Sequence, residues 1–469
     1  MDYLFEDITC ITMDDARAGG PVLERARVGV DNGVIAYIGP SRAGGGPERA
    51  RVGADNDAVP FYSPDAGAGP QSPAPAAKRI IPGKDKVLIP GLYNCHTHTP
   101  MTLLRGFADD MALGDWLRNR IFPAEAGFDD AEMPAAGARL AIAEMISSGT
   151  VAFSDMYFGL RAIALAAAEI GVKANLCNGV FAFDRENFDF YRDRSFLETE
   201  AVLAEFSGAE LNGRIKAEAG VHAEYTTYEK AWRQAAEYAA ARGLRMQVHV
   251  SETKDEHEKC RQTYGLTPAE VLDRHGVFDT GGTAAHCVWA EDGDMEIFAR
   301  RGVSAVHCPV SNLKLACGVA PVLRMLEKGV NVALGTDSAA SNNSFDLFEE
   351  IKFSGLLQKN ASGDPAAVPA YQALKMATAN GARAQGRENS GVLHEGFDAD
   401  MVMLDFRNPR HGVCYDPVSG AVYSGSGKDV ALTMCRGKIL YENGEFLTLD
   451  LERTLWEAGR QCRMIKGSS

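Results

Sequence analysis

The chain has no Cys-x-x-Cys pair, no excess of positive charge and no long uncharged apolar run, and each absence removes a class of function. Its ten cysteines (Cys10, Cys95, Cys177, Cys260, Cys287, Cys308, Cys317, Cys414, Cys435 and Cys462) are scattered without a dense framework. They read as reduced thiols of a cytosolic enzyme. A net charge of −15 would repel a phosphate backbone, which argues against nucleic-acid binding. No uncharged apolar run reaches the roughly 18 residues that span a bilayer. The start, Met1-Asp2-Tyr3-Leu4-Phe5-Glu6-Asp7, lacks the basic segment and apolar core of a signal peptide. These features predict a cytoplasmic protein whose partner is a small molecule rather than a nucleic acid or a membrane.

What is present suits a large soluble enzyme. The 469 residues, 46% hydrophobic and 24% charged, fit a (β/α)8 barrel with a smaller companion. Residues 1–87 are strand-rich, with Asp31-Asn32-Gly33 as hairpin-turn chemistry between two apolar runs. Residues 41–77 shift to Gly, Ala, Pro and Asp and read as a surface insertion. From about 88 to 386 strands alternate with Ala- and Leu-rich amphipathic segments, including 131–148, 228–242 and 294–301. Eight candidate strands end at His98, Asp155, Asn178, His222, His249, His286, His307 and Asp337, the first starting at Val87-Leu88-Ile89. That alternation predicts an α/β fold, a parallel TIM-type barrel. Residues 387–450 return to β character, so both termini are expected to share one β-sandwich. A helix over 451–469 closes the chain.

The chemistry gathers at those strand ends. His96 and His98 project from one side at the end of the first strand, a spacing that lets two imidazoles grip one transition metal. Alone, such a pair reads equally well as two solvated loop histidines. His249 and Asp337 end two further strands, and three imidazoles with a carboxylate suit one divalent first-row metal, zinc first and Fe2+ as the alternative. His286 can orient a water. Glu252, three residues after His249, can reach a substrate without binding the metal.

The residues closely resemble the amidohydrolase superfamily, in the branch of the 5′-methylthioadenosine/S-adenosylhomocysteine deaminases. The resemblance runs through Pro100-Met101-Thr102-Leu103-Leu104-Arg105-Gly106, Asp155-Met156-Tyr157-Phe158, His249-Val250-Ser251-Glu252-Thr253 and Ala285-His286-Cys287-Val288. Its most specific part is Pro309-Val310-Ser311-Asn312-Leu313-Lys314-Leu315, then Gly318-Val319-Ala320-Pro321, then Gly335-Thr336-Asp337-Ser338-Ala339-Ala340-Ser341-Asn342-Asn343. It implies that His96, His98, His249 and Asp337 ligate the metal, that Asp337 and Glu252 move protons, and that His286 holds the nucleophile. It further implies that His222 contacts the purine, Glu125 the ribose hydroxyls, and Trp116 the pocket wall. The end of the fourth strand, Gly220-Val221-His222, has no lysine to bridge a second metal.

An arginine that would read an amino-acid tail falls in the poorly matched stretch 181–214, where Arg194 is the first choice and Arg185 and Arg192 are its neighbours. Cys308 and Ser338 depart from the family pattern and loosen the substrate assignment. The expected function is hydrolytic deamination of 5′-modified adenosine nucleosides with release of ammonia. A guanine, 8-oxoguanine or pterin deaminase, or a triazine-type hydrolase, is the alternative on the same scaffold; a non-catalytic metal-binding scaffold is the alternative of another class. Relatives often assemble, so a homo-oligomer is expected.

Overall fold

The computed structural model describes residues 1–41, 76–128, 131–206, 208 and 213–468. Apart from its ends, the insertion expected at 41–77 lies outside the described residues. Strands β1 (Tyr3–Ile11), β2 (Val22–Asp31) and β3 (Val34–Pro40) form an antiparallel meander, and β4 (Arg79–Pro82) and β5 (Lys86–Pro90) pair parallel with β1. The β2–β3 turn places Asn32 and Gly33 at φ 50° and 82°, the left-handed pair that a tight hairpin requires.

Beyond β5 the chain enters the barrel. Its strands are β6 (Leu92–Thr97), β7 (Thr150–Met156), β8 (Lys173–Cys177), β9 (Ile215–Ala217), β10 (Ala219–Gly220), β11 (Met246–Val250), β12 (Gly282–His286), β13 (Val303–His307) and β14 (Val332–Leu334). All pair parallel, in the runs β6-β7-β8-β9 and β10-β11-β12-β13-β14. β9 and β10 are two halves of one strand interrupted at Glu218, and a parallel bridge between Thr97 and Asp337 closes the ring. Helices such as Glu132–Ser147, Leu160–Ile170, Glu229–Arg242 and Asp292–Arg301 return the chain between strands. The helix Lys254–Tyr264 begins where Thr253 and Glu256 satisfy each other's backbone N–H groups, which fixes the loop just after His249.

The C-terminal strands β15 (Met401–Asp405), β16 (Val430–Cys435), β17 (Lys438–Glu442) and β18 (Glu445–Phe446) complete the terminal sheet, because β15 pairs antiparallel with β5. Strands of both termini enclose one apolar core that includes Phe5, Val28, Leu88, Met401, Leu432 and Ile439. The helix Leu451–Ser468 packs back on the barrel, where Arg460 and Gln461 donate to Glu132 at 2.5 and 3.2 Å.

One expectation is corrected. Val87-Leu88-Ile89 does not lead into the histidine pair as a barrel strand: it lies in β5 and pairs with β1 and β15 of the terminal sheet. The first barrel strand is β6, and Pro90-Gly91 is the crossing point. A Cβ at Gly91 would stand 2.4 Å from Val151 Cγ2, so the crossing requires glycine.

Candidate metal centre and substrate pocket

The barrel alternation carries His96 to the interior at the end of β6, with His98 just beyond it; His249 ends β11, His286 ends β12, and Asp337 follows β14. Their donor atoms converge. The ring nitrogens of His96, His98 and His249 lie within 4.8 Å of one another, as do the donor atoms of His96, His286 and Asp337. Asp337 Oδ1 stands 3.2 Å from His98 Nε2 and 3.7 Å from His96 Nε2.

The surroundings orient each donor. His98 Nδ1 donates to the Met156 carbonyl at 2.5 Å and His249 Nδ1 to the His222 carbonyl at 2.7 Å, which leaves both Nε2 lone pairs facing inward. Those two Nε2 atoms are 3.4 Å apart, a separation at which two lone pairs repel unless a proton or a cation lies between them. His96 Nε2 is buried and has no hydrogen-bond partner. An orphaned imidazole nitrogen aimed at a carboxylate and two other imidazoles fits a divalent metal. Asp337 Oδ2 accepts from Ser311 Oγ at 2.6 Å and Ser341 Oγ at 2.7 Å, which leaves Oδ1 to face the cluster.

Burial, reinforced by the facing imidazoles, holds His96 and His249 well below the usual histidine range, so both stay neutral. Burial would lower His98 as well, but the Asp337 carboxylate overrides it and raises that imidazole to about 9. Asp337 is held well below the usual carboxylate range: burial opposes this, and the surrounding histidines outweigh burial. Glu252 moves the other way, raised chiefly by burial. Its Oε1 lies 3.9 Å from His286 Nδ1, and that nitrogen donates to Asn312 Oδ1 at 2.9 Å.

Local strain accompanies this assembly. Ser251, His286, Cys287 and Asp337 all adopt positive φ, between 50° and 69°. Non-glycine residues in that region are uncommon and gather where a site demands them. Gly335 has a related cause, because a Cβ there would stand 2.8 Å from His96 Cβ.

Above the cluster opens a pocket. It brings together His98, His249, Glu252, His286 and Asp337 with His222, Trp116 and Glu125. His222 hydrogen-bonds Thr226 Oγ1 through Nδ1 at 3.1 Å and packs against Phe181 at 4.2 Å; burial lowers it to about 3, so it faces the pocket neutral. Glu125 accepts from Tyr157 Oη at 2.5 Å, and burial raises its carboxyl to about 7.

Arg194 does not line the pocket: its Nε donates to Glu198 Oε1 at 2.7 Å and its guanidinium lies 4.7 Å from the Phe158 ring. Arg185 lies over Tyr228 and Arg192 faces Asp189, and neither lines the pocket. Sequence reasoning assigned no role to Tyr157, Ser311, Asn312 or Ser341, although all four stand inside the motifs it singled out.

A model of the amidohydrolase family matches residues 87–440. The chain belongs to the amidohydrolase family. This amidohydrolase is 44% identical over 393 residues to a 5-methylthioadenosine/S-adenosylhomocysteine deaminase of Dictyoglomus thermophilum, covering 83% of this chain and 90% of that protein. It is also 44% identical over 382 residues to a 5′-deoxyadenosine deaminase of Methanosarcina acetivorans, covering 81% and 87%. Among solved structures, an adenosine deaminase from Xanthomonas campestris with bound zinc superposes with a TM-score of 0.85 at 31% identity over 99% of both chains. An atrazine chlorohydrolase from Arthrobacter aurescens TC1, at 21% identity and TM-score 0.82, shares the fold over 98% of this chain and 100% of its own. Among the described residues, no helix is long and apolar enough to cross a membrane.

Proposed function

We propose that this amidohydrolase deaminates adenosine-type nucleosides modified at the 5′ position, replacing the 6-amino group by oxo and releasing ammonia. The reading rests on one arrangement: a buried carboxyl and a buried carboxylate, Glu252 and Asp337, stand on the same histidine cluster, with Glu125 in the same pocket. Similarity to deaminases of 5′-methylthioadenosine and 5′-deoxyadenosine supports it. His96, His98, His249 and Asp337 would hold one divalent metal, zinc before Fe2+, given three nitrogen donors and one oxygen. Bound there, the metal would acidify a water toward neutral pH.

The residues of the chain handle the protons. Asp337 accepts one proton as the water oxygen attacks C6. Glu252, whose carboxyl burial pushes above its usual range, donates a proton to N1 of the purine. When the C6–N bond breaks, the proton on Asp337 passes to the departing amino group. The remaining hydroxyl proton returns to Glu252, which restores both carboxyl groups. His286, fixed by Asn312, orients the attacking oxygen. His222 bonds the purine, Trp116 forms a wall, and Glu125 accepts the vicinal ribose hydroxyls. The reaction is placed in the cytoplasm.

Ammonia release by zinc-loaded protein is the test, on adenosine, 5′-deoxyadenosine, 5′-methylthioadenosine, guanine, 8-oxoguanine and a pterin. Turnover confined to the nucleosides is the expected result. Turnover of a free base or a pterin would replace the nucleoside reading with the alternative on the same scaffold.

A further inference from the structure

Between β11 and the helix Lys254–Tyr264 the chain turns through Ser251, Glu252 and Thr253. Ser251 is a buried non-glycine residue at φ 50°, a conformation that the surroundings must hold. Thr253 and Glu256 have the spacing of a capping box, in which the carboxyl needs to satisfy one N–H, that of Thr253. Glu256 takes three. Its Oε1 accepts from the Ser251 N–H at 2.8 Å, and its Oε2 from the N–H groups of Glu252 at 2.8 Å and Thr253 at 3.3 Å. His257 reaches the same turn, its Nδ1 3.0 Å from Ser251 Oγ, and the Trp289 N–H donates to the Ser251 carbonyl at 3.0 Å.

The carboxyl that this turn presents has longer contacts of its own. Glu252 Oε1 stands 3.9 Å from Cys317 Sγ and 3.9 Å from His286 Nδ1. Its direction is therefore set by its backbone, and its backbone by Glu256. Behind Glu256 lies Glu224, two residues after His222; both carboxyls are buried and they meet in hydrogen-bond contact. Burial raises both, and two carboxyls in contact keep a proton between them. Three N–H groups favour the charge on Glu256, which leaves the proton on Glu224 as the donor. The pair ties the turn that carries Glu252 to the turn that carries His222.

We infer that Glu256 is a positioning residue for the deamination: its carboxylate holds the 251–253 turn so that Glu252 meets N1 of the purine, and Glu224 steadies that carboxylate. The inference rests on the reading of Glu252 as the proton donor. A displacement of about 1 Å at a reacting group costs on the order of 10²-fold in rate, so the hold on this turn is worth as much to the chemistry as to the helix.

The test is a double-mutant cycle, read as kcat per metal-loaded chain of the zinc-loaded protein on its best nucleoside substrate. In Glu256→Gln the amide that replaces one oxygen is a donor facing donor N–H groups, so the turn is released. On the wild-type background kcat should fall about 10–100-fold, with KM within about threefold and metal content unchanged. On the Glu252→Gln background, where no aimed proton is left to lose, the same substitution should change kcat by less than about threefold. A Glu256 that only caps its helix would lower Tm and cost the same factor, or none, on both backgrounds; either result overturns the inference. Glu224→Ala is the second arm and decides if Glu256→Gln does not fold. It should lower kcat several-fold on the wild-type background alone, and Glu224→Gln, whose amide can donate in its place, should restore the rate. Equal effects on both backgrounds overturn the inference in that arm too, and leave the proton-donor reading intact. Wild-type kcat in Glu252→Gln itself would remove the proton-donor reading and the inference with it.

Discussion

The two ends of the barrel use inward-facing polar residues in opposite ways. At the base, Glu218 accepts from Asn175 Nδ2 and Gln247 Nε2, each at 2.7 Å, and Arg387 donates to Asn175 Oδ1 at 2.7 Å. Two residues further along the same strands the pattern changes. Asn94 bonds Thr336 Oγ1 at 2.7 Å whereas His96 leaves Nε2 unpaired; Gln247 is tied to Glu218 whereas His249 aims at His98. Strand periodicity is the same at both ends, since i and i+2 face inward. At the base most of the polar groups pair with one another and hold the ring together, with Gln247 Oε1 and Arg245 Nε as exceptions. At the mouth they face a shared point, and positive φ at His286 and Asp337 holds them there. Pairing serves stability at one end, and withheld pairing serves chemistry at the other.

The contrast breaks most sharply at Glu252. Glu252→Gln keeps the shape and removes the proton, so kcat should fall by about 10²–10⁴-fold. Metal content should stay near one ion per chain by atomic absorption, and Tm should hold or rise, because a buried carboxyl becomes a neutral amide. Parallel loss of metal and activity would mean that Glu252 is a ligand. Chelation is the companion experiment: it should abolish turnover and lower Tm reversibly, since an ion bound only by the folded state stabilises it by about 4 kcal/mol at a thousandfold excess over Kd.

A smaller effect separates the far wall of the pocket from the cluster. Burial lifts the Glu125 carboxyl to about 7. A carboxyl whose pKa rises on folding binds its proton more tightly when folded, so stability falls as pH climbs from the ordinary carboxylate range through about 7. Ionisation also creates the better acceptor for two ribose hydroxyls. KM for a nucleoside should therefore drop several-fold as pH rises through about 7, and Glu125→Gln should flatten that dependence. A KM profile unchanged in Glu125→Gln would take the ribose away from Glu125.

The metal-type residues were readable because their positions are local: a His-x-His at a strand end, and Glu252 three residues after His249. The barrel was readable from alternation for the same reason. What escaped depends on partners distant in sequence. Tyr157 matters through Glu125, 32 residues away, and Asn312 through His286, 26 residues away. Arg387 reaches the barrel base across 212 residues to Asn175. No periodicity encodes such pairs. The misplacement of Val87–Ile89 has a different cause: two apolar strands in tandem read as one, and only pairing in space shows that Gly91 divides them between sheets.

The base supplies the smallest effect and the cleanest control. Asn175→Ala removes a donor to Glu218 and an acceptor for Arg387, both inside the barrel. Leaving those buried groups short of partners should cost about 1–3 kcal/mol in chemical denaturation. The mouth lies beyond the next inward-facing layer, so kcat per folded molecule should stay within about twofold of wild type. Were activity to fall as far as it does in Glu252→Gln while stability held, the base would belong to the chemistry, and the division between the two ends of the barrel would be wrong.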